Sequence, residues 1–266
     1  MEPRTYPTPG DLTLELQVPA GTLEVRAADV TETLLEIEGE RHPEEVEVTL
    51  DPDPEGGQRL RVRYERGRGS IGRGELHVRA VVPGGSRVET ETGSADLTGK
   101  GRLGAVSFRS GSGDLQIEEV AGDASAKTAS GDVAIALVGS DLTTHGASGD
   151  VLVGQILGGL TARTASGDVL VGGIGGSATV ITVAGDIKVG SLSTGIAALR
   201  SVSGDIEIGV ARGTSVYLDL SSTSGDVITE LDDLAAPEGD ADLELAATTV
   251  SGDVAIRRAT PVAASP

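Results

Sequence analysis

One dipeptide, Gly-Asp, returns along this chain at a spacing that leaves few folds open. The glycine stands at Gly113, Gly131, Gly149, Gly167 and Gly185, each 18 residues after the last, then at Gly204, Gly225 and Gly252 after steps of 19, 21 and 27. Aspartate follows every time, as Asp114, Asp132, Asp150, Asp168, Asp186, Asp205, Asp226 and Asp253, and Ser94-Ala95-Asp96 is a weaker earlier copy. Self-similarity at a short fixed period marks a solenoid, in which each repeat buries its apolar face against its neighbours.

The columns after the aspartate give the geometry. The next residue is always aliphatic (Leu115, Val133, Val151, Val169, Ile187, Ile206), and the residue two further on is mostly so (Ile117, Ile135, Val153, Val171, Val189, Ile208). Between them stand Gln116, Ala134, Leu152, Leu170, Lys188 and Glu207, of no fixed character. In, out, in is the period of a strand with one buried face. A three-sided hexapeptide coil needs aliphatic residues every sixth position, but Val133 is followed there by Gly139 and His145. Two sides of nine fit better: Val133, Ile135 and Val138 point inward, and the same offsets nine later are Leu142, Thr144 and Ala147. The expected fold is therefore all-β, a two-sided parallel β-solenoid of about 18 residues per rung. Aromatic residues make up 2% of the chain, with Phe108 the single Phe, which suits a thin core of aliphatic layers.

Residues 11–90 read differently. The runs "LTLELQV", "TLEVRA", "TLLEIEGE", "EEVEVTL", "RLRVRY" and "ELHVRAVV" alternate strictly and are joined by turns such as "DPDPEGGQ". They predict an antiparallel β cap at the entry to a solenoid spanning 91–258, the two forming one continuous domain between disordered tails at 1–10 and 259–266. The acidic insertion "ELDDLAAPEGDAD" (230–242) is expected to blunt the far edge.

These repeats resemble a bacterial family of β-strand-repeat proteins labelled "putative adhesin", a domain of unknown function. The resemblance rests on the recurring Ser-Gly-Asp-Val/Ile-x-Val/Ile unit and on the leading segment "LTLELQVPAGTLEVRA", and it covers roughly 11–258. It implies a surface-interaction role, with relatives in envelope-stress systems of the Lia type, and it brings no catalytic residues.

Composition narrows the function. A net charge of −20 opposes nucleic-acid binding, which proceeds by release of counterions to basic surfaces. Cysteine is absent, removing disulfides, thiolate catalysis and thiolate metal sites. No run is apolar enough for a signal peptide or a membrane span, so the expected location is cytoplasmic, with any envelope association made through a partner.

Three features invite a functional reading. The aspartate column is foremost: Asp114, Asp132, Asp150, Asp168, Asp186 and Asp205 either cap backbone N–H groups in glycine corners or line up oxygens for a row of Ca²⁺ ions. The calcium-binding nonapeptide pattern separates its glycines and aspartate differently, which favours corners. The hydroxyls just upstream are expected to donate to those carboxylates. "GRGSIG" (67–72) matches a dinucleotide loop but lies between strands, where the glycine fingerprint needs a following helix; Arg66, Arg68 and Arg73 around it offer an anion or partner contact. Arg59, Arg61 and Arg63 share one strand face, and Glu45 and Glu47 are their expected cross-strand partners. His42, His77 and His145 have no metal-ligand spacing, and His145 shares a column with Arg109, Lys127 and Arg163. The sequence thus points to a non-catalytic scaffold or interaction module with no cofactor. The alternatives are a calcium-dependent attachment module and an end-to-end polymer assembled through solenoid ends.

Overall fold

The computed structural model describes residues 3–39, 46–64, 75–231 and 241–259. Every regular element among them is a β-strand. They fall into two compact units, Met1–Gly139 and Ser140–Pro266.

The first unit holds β1 (Arg4–Pro7), β2 (Leu12–Ala28), β3 (Glu32–Gly39), β4 (Val46–Pro52), β5 (Gln58–Tyr64), β6 (Leu76–Pro83), β7 (Arg87–Leu103), β8 (Val106–Ser110), β9 (Leu115–Val120), β10 (Ala124–Thr128) and β11 (Val133–Val138). Its rungs are two-sided and parallel, as the 18-residue period requires. On one side β10 lies on β8 with Ala126 opposite Phe108, and on the other β11 lies on β9 with Val133 opposite Leu115. The long β7 makes both sides of one rung, pairing Val88 with Val106 and Leu97 with Leu115. Phe108 is fully buried between Thr90 and Ala126, two smaller side chains that leave room for its ring.

Antiparallel pairs occur where a cap was expected, β3 on β6 and β4 on β5, and β1 on β3 adds a strand at Arg4–Pro7, within the stretch expected to be a disordered tail. β2 is different, being itself a rung. It runs parallel to β7, Leu14 beside Val88 and Leu23 beside Leu97, while its other edge pairs in parallel with β5 and β6. Alternation fixes which residues face inward but is the same for either strand direction.

The second unit holds β12 (Leu142–Gly146), β13 (Val151–Ile156), β14 (Leu160–Arg163), β15 (Val169–Ile174), β16 (Ala178–Ile181), β17 (Ile187–Leu192), β18 (Gly195–Arg200), β19 (Ile206–Val210), β20 (Val216–Ser224), β21 (Val227–Glu230), β22 (Leu243–Ser251) and β23 (Val254–Arg258). Even-numbered strands stack on one side from β12 to β18, and odd-numbered strands on the other from β13 to β19. The order then departs from the sequence. β22 and β23 stack next, on β18 and β19, and the earlier β20 and β21 close the series outside them. In the column Ile206, Val254, Val227, the first two are fully buried and Val227, on the last rung, is 46% exposed.

One expected inward position needs correction. Ala147 and Ala165 are exposed, and Thr164, Thr182, Ser201 and Thr249 at the preceding position of the rung are buried. The even strands keep a strict period of two (Leu160, Ala162, Thr164). The odd strands place two outward residues between Val153 and Ile156, and their ladder slips between Val189 and Leu192. The irregularity belongs to one side only, so one set of offsets does not serve both.

Candidate functional site

The aspartate column is held by its own backbone. In the first unit the Asp114 N–H donates to Asp96 Oδ1 at 2.9 Å and the Asp132 N–H to Asp114 Oδ1 at 2.8 Å. In the second, Asp168 donates to Asp150, Asp186 to Asp168 and Asp253 to Asp205, each at 2.8 Å, and Asp205 to Asp186 at 2.9 Å. Asp226 on the last rung donates to Asp253 at 2.8 Å. Like charges one rung apart, about 4.8 Å, repel by about 0.9 kcal/mol at the dielectric constant of water. A hydrogen bond to a charged acceptor contributes about 1.5–3 kcal/mol, so the ladder is net favourable. Among the described residues no three acidic or histidine side chains converge in a way that would hold a metal ion.

Several of the hydroxyls upstream bond the main chain. In the first unit Thr92, Ser110 and Thr128 accept from the N–H three residues on, at Ala95, Gly113 and Gly131. In the second unit the corner glycines bond instead to the next rung, Gly167 N–H to the Ala184 carbonyl and Gly185 N–H to the Ser203 carbonyl. There the hydroxyls donate: Thr249 to the Gly204 carbonyl and Ser222 to the Gly252 carbonyl. Gly167 has φ 138°, whereas Gly113 and Gly131 are not among the positive-φ glycines. At both kinds of corner a Cβ would meet a carbonyl oxygen of the neighbouring rung, at 2.1 Å for Gly167 and 2.0 Å for Gly131.

Arg59 is the most enclosed charged group of the arginine stripe, its side chain 13% exposed. It bonds Glu15 at 3.0 Å, Glu89 at 2.8 Å and Asp53 at 3.1 Å, the Asp53 side chain being 1% exposed. Arg61 bonds Glu15 and Asp51, Arg63 bonds the Gln17 side chain, and Arg87 pairs with Glu55. The stripe on β5 is thus paired mainly to β2 and β7. Glu47 sits opposite Arg63 in register, and Glu45 lies outside the described residues. Burial alone would raise the Glu15 carboxyl, but hydrogen bonds and charge from Arg59 and Arg61 hold it below its ordinary value. Asp53 is held low by the Glu55 N–H first, then by the Thr13 hydroxyl and Arg59, against the opposing effect of burial. Glu15, Glu89, Glu91, Arg59 and Arg109 line a polar recess of about 400 Å³. A second recess, about 480 Å³, lies in the second unit over Gly172, Gly190 and Gly209, walled by Lys188, Glu207 and Arg257.

A different charge pattern occupies the outer face of the even strands. In the first unit Arg109 is followed by Lys127 on the next rung, with Ser107 and Ser125 in the adjoining outward column. In the second, His145 is followed by Arg163, Ile181 and Arg200, beside Thr143, Thr161 and Thr179. β8, β10, β12, β14, β16 and β18 contain no Asp or Glu. Arg109, Lys127, Arg163 and Arg200 are exposed, and their side chains have no ion-pair or hydrogen-bond partner among the described residues. Arg109 alone has an acidic register neighbour, Glu91. His145 Nδ1 is buried and likewise unpartnered, while His77 Nδ1 shares a hydrogen bond with Thr22 at 2.8 Å. The repulsion between these cations, unlike that in the aspartate column, is offset by nothing in their own strands. His42, Arg66, Arg68 and Arg73 lie outside the described residues.

Two solved structures are similar over nearly their whole length. A "putative adhesin" from Bacteroides fragilis is 10% identical, with 96% of this chain and 95% of that one covered and a TM-score of 0.43. A "putative cell adhesion protein" from Clostridium sporogenes is also 10% identical, with 97% and 99% covered and a TM-score of 0.28. No curated protein matches. No helix among the described residues is long and apolar enough to cross a membrane. The Toastrack family, DUF4097, matches residues 10–257, nearly the whole β-repeat region, and the chain belongs to it.

Proposed function

We infer that this chain is a non-catalytic interaction scaffold that presents straight columns of side chains on rigid β-rungs. One observation carries the reading: the acidic groups that repetition concentrates are already engaged. Corner carboxylates accept the N–H of the neighbouring corner, and Glu15, Asp53 and Glu89 are taken up by Arg59. Catalysis by paired carboxylates needs two with separated roles beside a substrate space. The adhesin names of the similar structures agree with a surface-binding role.

The aspartate column, on this reading, is structural and binds no calcium. A thermal unfolding scan of chelator-treated protein, repeated with millimolar calcium and with magnesium, tests it, because a ligand specific to the native state must raise stability. We expect equal melting temperatures in all three. A calcium-specific rise would make the ladder a binding surface. For the absence of catalysis, the decisive result against it is a hydrolase or lyase activity that disappears when one charged residue is replaced. A second reading, self-association through solenoid ends, is favoured by the exposure of Val227 and Tyr217 on the last rung of the second unit. Light-scattering mass that climbs with concentration would establish it, and a constant monomer mass would exclude it.

A further inference from the structure

We propose that the outer faces of the even strands bind a linear acidic polysaccharide along their columns of cations. The proposal rests on the interaction-scaffold reading and names that scaffold's ligand. Its motive is an imbalance. The chain carries a net charge of −20, yet its even strands from β8 to β18 are free of carboxylates. They set Arg109 and Lys127 in an outward column of the first unit, and His145, Arg163 and Arg200 in an outward column of the second. Elsewhere many arginines of this protein are engaged: Arg59, Arg61 and Arg87 by carboxylates, Arg257 by Glu207 and Glu230, Arg258 by backbone carbonyls. The column arginines and Lys127 are exposed and unpaired among the described residues, and sheets of fixed register hold them near one another. Their missing counter-charge comes from outside the chain.

Three features select the ligand. The cations of each column recur at one or two rung spacings, about 4.8 or 9.6 Å, which suits a chain polymer with regularly spaced acidic groups. Arg recognises carboxylate or sulfate through paired N–H donors. The adjoining Ser and Thr columns supply hydroxyls that hydrogen-bond sugar hydroxyls. Nucleic acid fits poorly: these faces have no aromatic platform for bases, and their few cations on an acidic protein do not match one phosphate per nucleotide.

The test is affinity electrophoresis of the full chain in gels containing polygalacturonate (carboxylate) or heparin (sulfate), with neutral dextran and duplex DNA as comparisons. The expected result is retardation by at least one acidic glycan, weakening as salt rises and absent with dextran. Retardation by one glycan alone assigns the acidic group. A variant with Arg109→Gln, Lys127→Gln, Arg163→Gln and Arg200→Gln is expected to lose at least tenfold in apparent affinity while melting at the wild-type temperature. A second variant removes the same charge elsewhere, through Arg26→Gln, Lys100→Gln, Lys188→Gln and Arg212→Gln, and is expected to stay within twofold. Equal losses in the two variants, retardation by DNA as strong as by glycan, or none by either glycan overturns the proposal. The last outcome leaves the non-catalytic reading standing. Release of unsaturated uronate from polygalacturonate would instead overturn the non-catalytic reading while leaving glycan recognition in place.

Discussion

The corners of the two units carry one motif in two conformations. In the first unit the hydroxyl three residues before the corner glycine accepts that glycine's N–H, and Gly113 and Gly131 keep φ outside the positive range. In the second, the corner glycines from Gly149 to Gly252 adopt positive φ and, where a further rung follows, bond across to it. Residues at the serine position there form isolated bridges such as Ser166 with Ala184. The residue two before the corner position differs in step: Gly93, Gly111 and Ala129 in the first unit, but Val183, Val202 and Val250 on three rungs of the second. A β-branched residue favours the extended backbone that a bridge requires, and glycine leaves the tighter turn open. Ala129 in one form and Ala147 and Ala165 in the other show that alanine accepts either. The motif specifies a corner, and its neighbours choose which one.

That comparison breaks most readily at the glycines. Gly167→Ala combines a Cβ clash with positive φ, and we expect it to lower stability by about 4 kcal/mol. Gly131→Ala meets the clash without the φ penalty, so it should cost about 1–2 kcal/mol less in the same urea titration. Equal losses would mean that the two corners are energetically one.

The arginine–carboxylate cluster around Arg59 belongs to the first unit. Arg59→Met leaves Glu15, Glu89 and the enclosed Asp53 without their shared cation, with an expected loss of about 3 kcal/mol. The same group sets a pH dependence. Glu15 and Asp53 have folded pKa values below their unfolded ones, so their contribution is fully present above about pH 4–5 and is lost as pH falls through the folded values. Denaturant titrations from pH 6 downward should therefore show wild type losing stability more steeply than Arg59→Met. Parallel curves would remove the cluster from the account.

The smallest effects sharpen the comparison. Thr128→Val strips the acceptor from the Gly131 N–H and should cost about 1–2 kcal/mol. Thr182, at the matching place in the second unit, has a buried hydroxyl without a partner, so Thr182→Val should be neutral or slightly stabilising. Thermal melts of the two variants distinguish the corners without touching a glycine.

The rung was legible in the sequence because the 18-residue period, the aliphatic columns and the turn glycines all describe it. The stacking order was not. Inward and outward alternation is common to every rung, so nothing in "LTLELQV" says that the neighbours of Leu14 are Leu60 on one edge and Val88 on the other. The same gap hid the partners of Arg59, since Glu15 and Glu89 reach it only once β2 is known to lie between β5 and β7. The aspartate column was legible as corners, but the atom that each carboxylate receives, the next aspartate's own N–H, depends on rung register. The cations at Arg109, Lys127, His145 and Arg163 were visible as a shared repeat position, whereas the lack of partners beside them required the neighbouring strands.

The order of the last rungs bears on how the chain comes to be finished. β20 and β21 precede β22 and β23 in synthesis, yet their place is beyond them, and their ladder partners among the described residues are β22 and β23. Residues 243–258, made later, lie between residues 216–230 and the rungs of β18 and β19. Removal of Leu243–Arg258 would take away the strands on which β20 and β21 rest in this fold, and limited proteolysis of residues 216–230 would read the consequence. The inner rung of this end is thus supplied by the later segment and the exposed rung by the earlier one, so the stacking order here is not the order of synthesis.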